Sequence, residues 1–64
     1  MKPKFEYDPA ADAAYIRFSS ETVLESEEVS QDIVLDYDRN GHIVGMEVLN
    51  ARTNLPATIL DDAA

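Results

Sequence analysis

The sequence predicts a mostly β (α+β) fold, a small antiparallel β-meander of four or five strands closed by a short C-terminal helix. Three observations carry that reading. Apolar residues recur with a period of two and not 3.6. Pro and Asn-Gly signals punctuate the alternating runs. The stretch after Leu49 has the composition of helical turns, whereas "ETVLESEEVS", where propensity would also allow a helix, reads as a strand.

The first run, "KFEYD", places Phe5 and Tyr7 on one side. Asp8-Pro9 then signals a turn, because proline presets the turn backbone and aspartate can accept from the turn amides. "AAYIRFS" follows, with Ala14, Ile16 and Phe18 on one face and Tyr15 and Arg17 on the other. "ETVLESEEVS" scatters Val23, Leu24 and Val29 among four glutamates and reads as an acidic edge strand.

"DIVLDYD" and "HIVGMEVL" are the strongest strands. Ile33, Leu35 and Tyr37 line one face of the first; Val44, Met46 and Val48 line one face of the second. Both sets must lie on the same side of the sheet, since a one-residue slip turns one of them outward. A two-residue turn centred on Asn40-Gly41 satisfies this, as does a four-residue loop over 38–41; a three-residue loop does not. Asp38 is expected to cap the turn amides, with Asn40 and Gly41 in left-handed positions. After Leu49, "NARTNLP" reads as one or two helical turns with Asn50 as N-cap and Pro56 as stop. Residues 56–64 read as a tail prone to fraying, from which Leu55, Ile59 and Leu60 can cover part of the sheet.

The 64 residues make one domain, with its core over about residues 4–53. A chain of this size buries only about 60% of its unfolded surface and gains from a second copy or a partner. There is no cysteine, hence no disulfide and no thiolate metal site, and the single histidine argues against zinc. Thirteen acidic residues against five basic ones give a net charge of −8. That balance excludes nucleic-acid binding, which needs clustered Lys and Arg, and suits a basic protein partner. The N-terminus has no apolar signal-peptide core and no run is long enough to span a membrane, so no membrane association and a cytoplasmic location are expected.

One segment invites a sharper reading. "DYDRNGHIVGME", residues 36–47, satisfies the calcium-loop pattern D-x-D-x-N-G-x5-E. An EF-hand loop runs between helices, however, and here both flanks alternate with period two. Gly45 would fall in the first turn of the exiting helix, at a cost of roughly 1 kcal/mol relative to alanine. In a hairpin turning at Asn40-Gly41, Glu47 lies about 20 Å up the strand and cannot close a site with Asp38 and Asn40. The hairpin is the better use of the segment.

Other candidates divide between chemical and plain readings. Asp8 and Asp12 are paired carboxylates that can serve acid–base work, or a turn opener and a cap. His42 is a base or an exposed strand-start residue. Glu21, Glu25, Glu27 and Glu28 form either an acidic docking surface or a solvated edge that deters sheet-to-sheet aggregation. Tyr7, Tyr15 and Tyr37 are interleaved with acids, which argues against a base-stacking platform. No catalytic, cofactor-binding or metal site is assigned from the residues.

Taken together, "YDPAADAAYIRFS", the acidic stretch and "DIVLDYDRNGHIVGMEVLNA" resemble domain-of-unknown-function family 2283, small bacterial and archaeal proteins. The likeness covers about residues 4–53. It is carried by Tyr7-Asp8-Pro9 with Asp12, Tyr15-Ile16, and Asp36-Tyr37-Asp38 followed by Gly41, Val44-Gly45 and Glu47. Ala14 stands where the family often has a bulkier apolar residue, and Thr53 near where it often has lysine. The resemblance implies a compact β-rich fold with no established activity or cofactor. It also implies an antitoxin-like role, since members are often encoded beside small basic toxin-like proteins.

Two functional expectations result. The first is a non-enzymatic protein-interaction module, in its sharpest form the antitoxin-like partner of a small basic protein. The alternative is a small metal-binding protein or hydrolase using Asp8, Asp12, Asp36 and Asp38. Independently of either, a homodimer packed face to face through the apolar sheet face of Phe5, Ile16, Phe18, Ile33, Leu35, Val44, Met46 and Val48 is expected, because a single sheet with one apolar face needs a cover and a short helix hides only part of it.

Overall fold

The computed structural model describes the backbone of residues 2–63 and the side chains of residues 2–61. Five strands form one antiparallel sheet: β1 (Lys4–Asp8), β2 (Ala13–Arg17), β3 (Glu25–Ser30), β4 (Ile33–Tyr37) and β5 (Ile43–Leu49). Two short helices follow, α1 (Ala51–Asn54) and α2 (Ala57–Ala63). The spatial order is β1-β2-β5-β4-β3, which refines the expected meander: β5, the longest strand, is inserted between two hairpins.

The alternation read from the sequence becomes cross-strand rows. Phe5, Ile16, Met46 and Leu35 lie opposite one another in one row, and Tyr7, Ala14, Val48 and Ile33 in the next. The helices cover the second row. Ala14, Val48, Ala51 and Leu60 form the buried cluster, with Phe5, Tyr7, Ile33, Met46 and Leu55 packed against it. The small side chain of Ala14 is fully buried at the middle of this layer. Val44 is buried separately, near the hairpin end.

The β4–β5 turn corrects the loop-length expectation in an instructive way. The amide of Gly41 donates to the Asp38 carbonyl (3.1 Å) and that of Asp38 to the His42 carbonyl (3.0 Å), so the loop has three residues, Arg39 to Gly41. Such a loop is a type I turn followed by a left-handed residue. Gly41 takes that position (φ 80°), and Asn40 does not adopt positive φ. Three residues alone would put the apolar sets on opposite faces. One extra residue in β5 restores the parity, because the pairing shifts between Asp36–Gly45 and Tyr37–Ile43. Ile33–Val48 and Leu35–Met46 therefore pair in the register of a two-residue turn, as the sequence demanded.

β3 is the acidic edge strand expected, exposed along its whole length and bulged between Glu28 and Ser30. Asn50 precedes α1, but in a left-handed conformation (φ 50°) and with no side-chain cap bond. The capping oxygen comes from elsewhere in the fold.

Candidate functional site

The carboxylates singled out in the sequence are each committed to backbone or hydroxyl donors. Asp8 Oδ1 accepts from the amides of Ala10 (3.0 Å) and Ala11 (3.4 Å), the turn-opening role expected of an aspartate before proline. Asp38, 8% exposed, accepts through Oδ1 from the amides of Asn40 (2.9 Å) and His42 (3.0 Å). The His42 amide bond is the main cause that holds the Asp38 carboxyl below its ordinary pKa, and it outweighs burial, which raises it. His42 itself sits at the loop end, exposed, with Nδ1 3.8 Å from Asp38 Oδ2.

Asp12 lies in the β1–β2 turn with φ 52°. Its Oδ1 accepts from the Tyr7 hydroxyl (2.9 Å) and from the amide of Arg52 (3.0 Å), while its carbonyl accepts from the amide of Ala51 (2.9 Å). Asp12 thus supplies the N-terminal cap of α1 from forty residues away. Tyr7 has its pKa raised, first by burial and then by this bond to Asp12.

Asp32, which the sequence reading passed over, does the matching work from the β3–β4 turn. It too has positive φ (69°), and its carbonyl accepts from the amide of Leu49 (2.8 Å). Its two carboxylate oxygens accept from the side-chain amides of Asn50 and Asn54, both at 3.1 Å. Two aspartates from the two hairpins therefore pin the β5–α1 junction from either side. The available signal was positional: each aspartate ends a tight turn directly before an apolar strand, where its side chain tolerates left-handed backbone.

The sheet face away from the helices carries a third cluster. The Tyr15 hydroxyl donates to Asp36 Oδ2 (2.6 Å), and the Ser26 hydroxyl donates to Asp36 Oδ1 (2.6 Å). Burial, then the bond to Asp36, raises the Tyr15 pKa. A tyrosine so held is a weaker acid, and Asp36 accepts from both hydroxyls.

Asp8, Asp12, Asp36 and Asp38 thus occupy four separate hydrogen-bond sets. Among the described residues, no three or more His, Cys, Asp or Glu side chains are placed to hold a metal ion. The calcium-like letters of residues 36–47 resolve accordingly: Asp38 serves the turn, Asp36 serves Tyr15 and Ser26, and Glu47 lies in β5 opposite Tyr15 and Val34. A concavity of about 390 Å³ lies between the first hairpin and the helices, lined by Tyr7, Pro9, Arg52, Ala57, Leu60 and Asp61. Its one guanidinium already donates to the Pro9 carbonyl (3.3 Å).

What is left uncommitted is acidic surface. Along β3 the side chains of Glu25, Glu27 and Glu28 are exposed, with Glu21 exposed in the preceding loop. Among the described residues the ion pairs are Lys4–Glu6 (3.3 Å) and the His42–Asp38 contact, so these four glutamates have no basic partner there. No helix among the described residues is long and apolar enough to cross a membrane.

Against known proteins, the family model described as "Protein of unknown function (DUF2283)" matches residues 4–52, most of the chain. No curated protein and no solved structure matches.

Proposed function

The chain belongs to the DUF2283 family of proteins of unknown function, and from that premise we propose a non-enzymatic protein-interaction module that binds a small basic protein. The observation that carries this reading is the exposed acidic edge of Glu21, Glu25, Glu27 and Glu28, without a basic partner among the described residues, on a chain of net charge −8. A field of one sign steers an oppositely charged partner and rejects like-charged ones. In its sharpest form the partner is a toxin-like protein that binding neutralises. The carboxylates a hydrolase or metal site would need are spent on the turns and on Tyr15, which favours binding over chemistry.

The test is affinity capture of the tagged chain from its native cells, at low and at high salt, beside the variant Glu25→Gln/Glu27→Gln/Glu28→Gln. The expected result is a stoichiometric basic protein, released by high salt and not captured by the variant. Equal capture by both chains, or no basic protein at low salt, overturns the proposal.

A further inference from the structure

The helical layer covers only part of the apolar sheet face. α1 and α2 pack over the row of Tyr7, Ala14 and Val48, against β1, β2 and β5. In the neighbouring row Ile16, Met46 and Leu35 remain half-buried. Beyond it Phe18, whose amide continues the β2–β5 pairing to the Val44 carbonyl, is 41% exposed, and Ile43, opposite Tyr37, is 48% exposed. Among the described residues the largest fully buried side chains are Val44 and Val48. A domain ordinarily closes its core with a second packed layer; here that layer reaches Ile33 of β4 and leaves the rest of β4 and β3 open.

The surface area says the same. The molecule is a slab of 34 × 26 × 17 Å with 4485 Å² of accessible surface, against about 4,100 Å² for a compact monomer of this mass. Specific interfaces begin at about 1,000 Å² in total, or about 500 Å² from each partner. Removing that much from each of two copies brings the surface per chain to about that of a compact monomer.

We infer that the open part of this face, centred on Ile16, Phe18, Leu35, Ile43 and Met46, is the interface of a homodimer. A two-fold axis in the interface plane and parallel to β5 lays the β1 side of one copy over the β3 side of the other. Each helical layer then lies beside the half of the partner's sheet that its own helices leave open. A C2 interface of this kind uses one patch twice, so a single apolar face suffices. Glu25 and Glu27, opposite Tyr37 and Leu35, project to this same face at its β3 rim, so the dimer and a basic partner would meet on that side, whereas Glu28 lies on the other face. The inference does not rest on the acidic edge having a partner, and its salt dependence has the opposite sign. Two copies of net charge −8 repel, so added salt tightens the dimer, whereas it weakens binding of a basic protein.

Sedimentation equilibrium on the full chain, from micromolar to hundreds of micromolar and at low and high salt, tests it. The expected result is a species of twice the 7.1 kDa chain mass whose dissociation constant falls as salt rises. Phe18→Lys and Ile43→Lys, both at exposed positions, are expected to raise that constant at least about tenfold, with the far-ultraviolet spectrum and the cooperative melt retained. Glu28→Gln, in a row of the other face, leaves the dimer at least as tight. A monomer throughout the range overturns the inference and leaves the face to a different protein. A dimer indifferent to both lysine variants, or one that loosens as salt rises, overturns it as well.

Discussion

The Tyr15 hydroxyl, on β2, reaches diagonally across β5 to donate a 2.6 Å hydrogen bond to Asp36 on β4. The strand between them permits this because Gly45 carries no side chain: a Cβ there would overlap the Tyr15 hydroxyl and its ring carbon. Three strands are joined over one glycine, and the stretch "DYDRNGHIVG" places both the acceptor and the gap.

Gly45→Ala is therefore expected to displace Tyr15 and destabilise the protein by about 1–3 kcal/mol, the usual range for forced overpacking. In a domain of this size that is a fall of about 4–8 °C in Tm for each kcal/mol. Tyr15→Ala in the same chain removes the clash, so the double variant should lose less than the two single losses summed. Strict additivity in thermal melts would mean that the two residues are not coupled.

Asp12→Ala removes the shared acceptor of Tyr7 and the Arg52 amide and places alanine at positive φ. A loss of about 1–3 kcal/mol is expected, the scale of a missing cap and an unmade hydrogen bond. Hydrogen exchange should quicken at the amides of α1 well before those of β5, a distinction an unspecific core defect would not make. Asp32→Ala should loosen the same junction through Asn50 and Asn54.

The pH profile follows from the two kinds of shifted group. Asp38 titrates lower in the fold than in the unfolded chain, so its contribution is present above the unfolded pKa and is lost as pH falls through the folded one. Tyr7 and Tyr15 titrate higher in the fold, so their contribution holds below the unfolded value and is lost as pH rises through the folded one. Melting temperature should thus fall on both sides of a broad plateau. Asp38→Asn should flatten the acid limb and Tyr15→Phe the alkaline limb; unchanged limbs in these variants would assign the pH dependence to other groups.

Calcium, magnesium and manganese should leave the melting temperature where it is. A ligand of the folded state at 100 times its dissociation constant adds about 2.7 kcal/mol, roughly 10 °C or more here. A shift of that size that disappears in Asp38→Asn would show that the turn binds metal after all.

Much of this architecture is local and therefore legible in the residues themselves. Alternation of Ile33, Leu35, Met46 and Val48 determined the strands and which faces meet, because a pleated strand turns every second side chain the same way. Asp8-Pro9 and Asn40-Gly41 announced two turns, and the run of glutamates announced an edge. The spatial order of the strands was not legible, since pairing β5 with both β2 and β4 depends on contacts far apart in the chain. Nor was the bulge that reconciles a three-residue loop with the apolar register, because parity can be restored at any of several residues in β5. The junction aspartates lay hidden for the same reason: Asp12 caps a helix forty residues on, and no local pattern records which helix a turn will meet. Local periodicity and turn chemistry chose the elements and the roles of Asp8 and Asp38, and only tertiary structure decided what Asp12, Asp32 and Asp36 would hold.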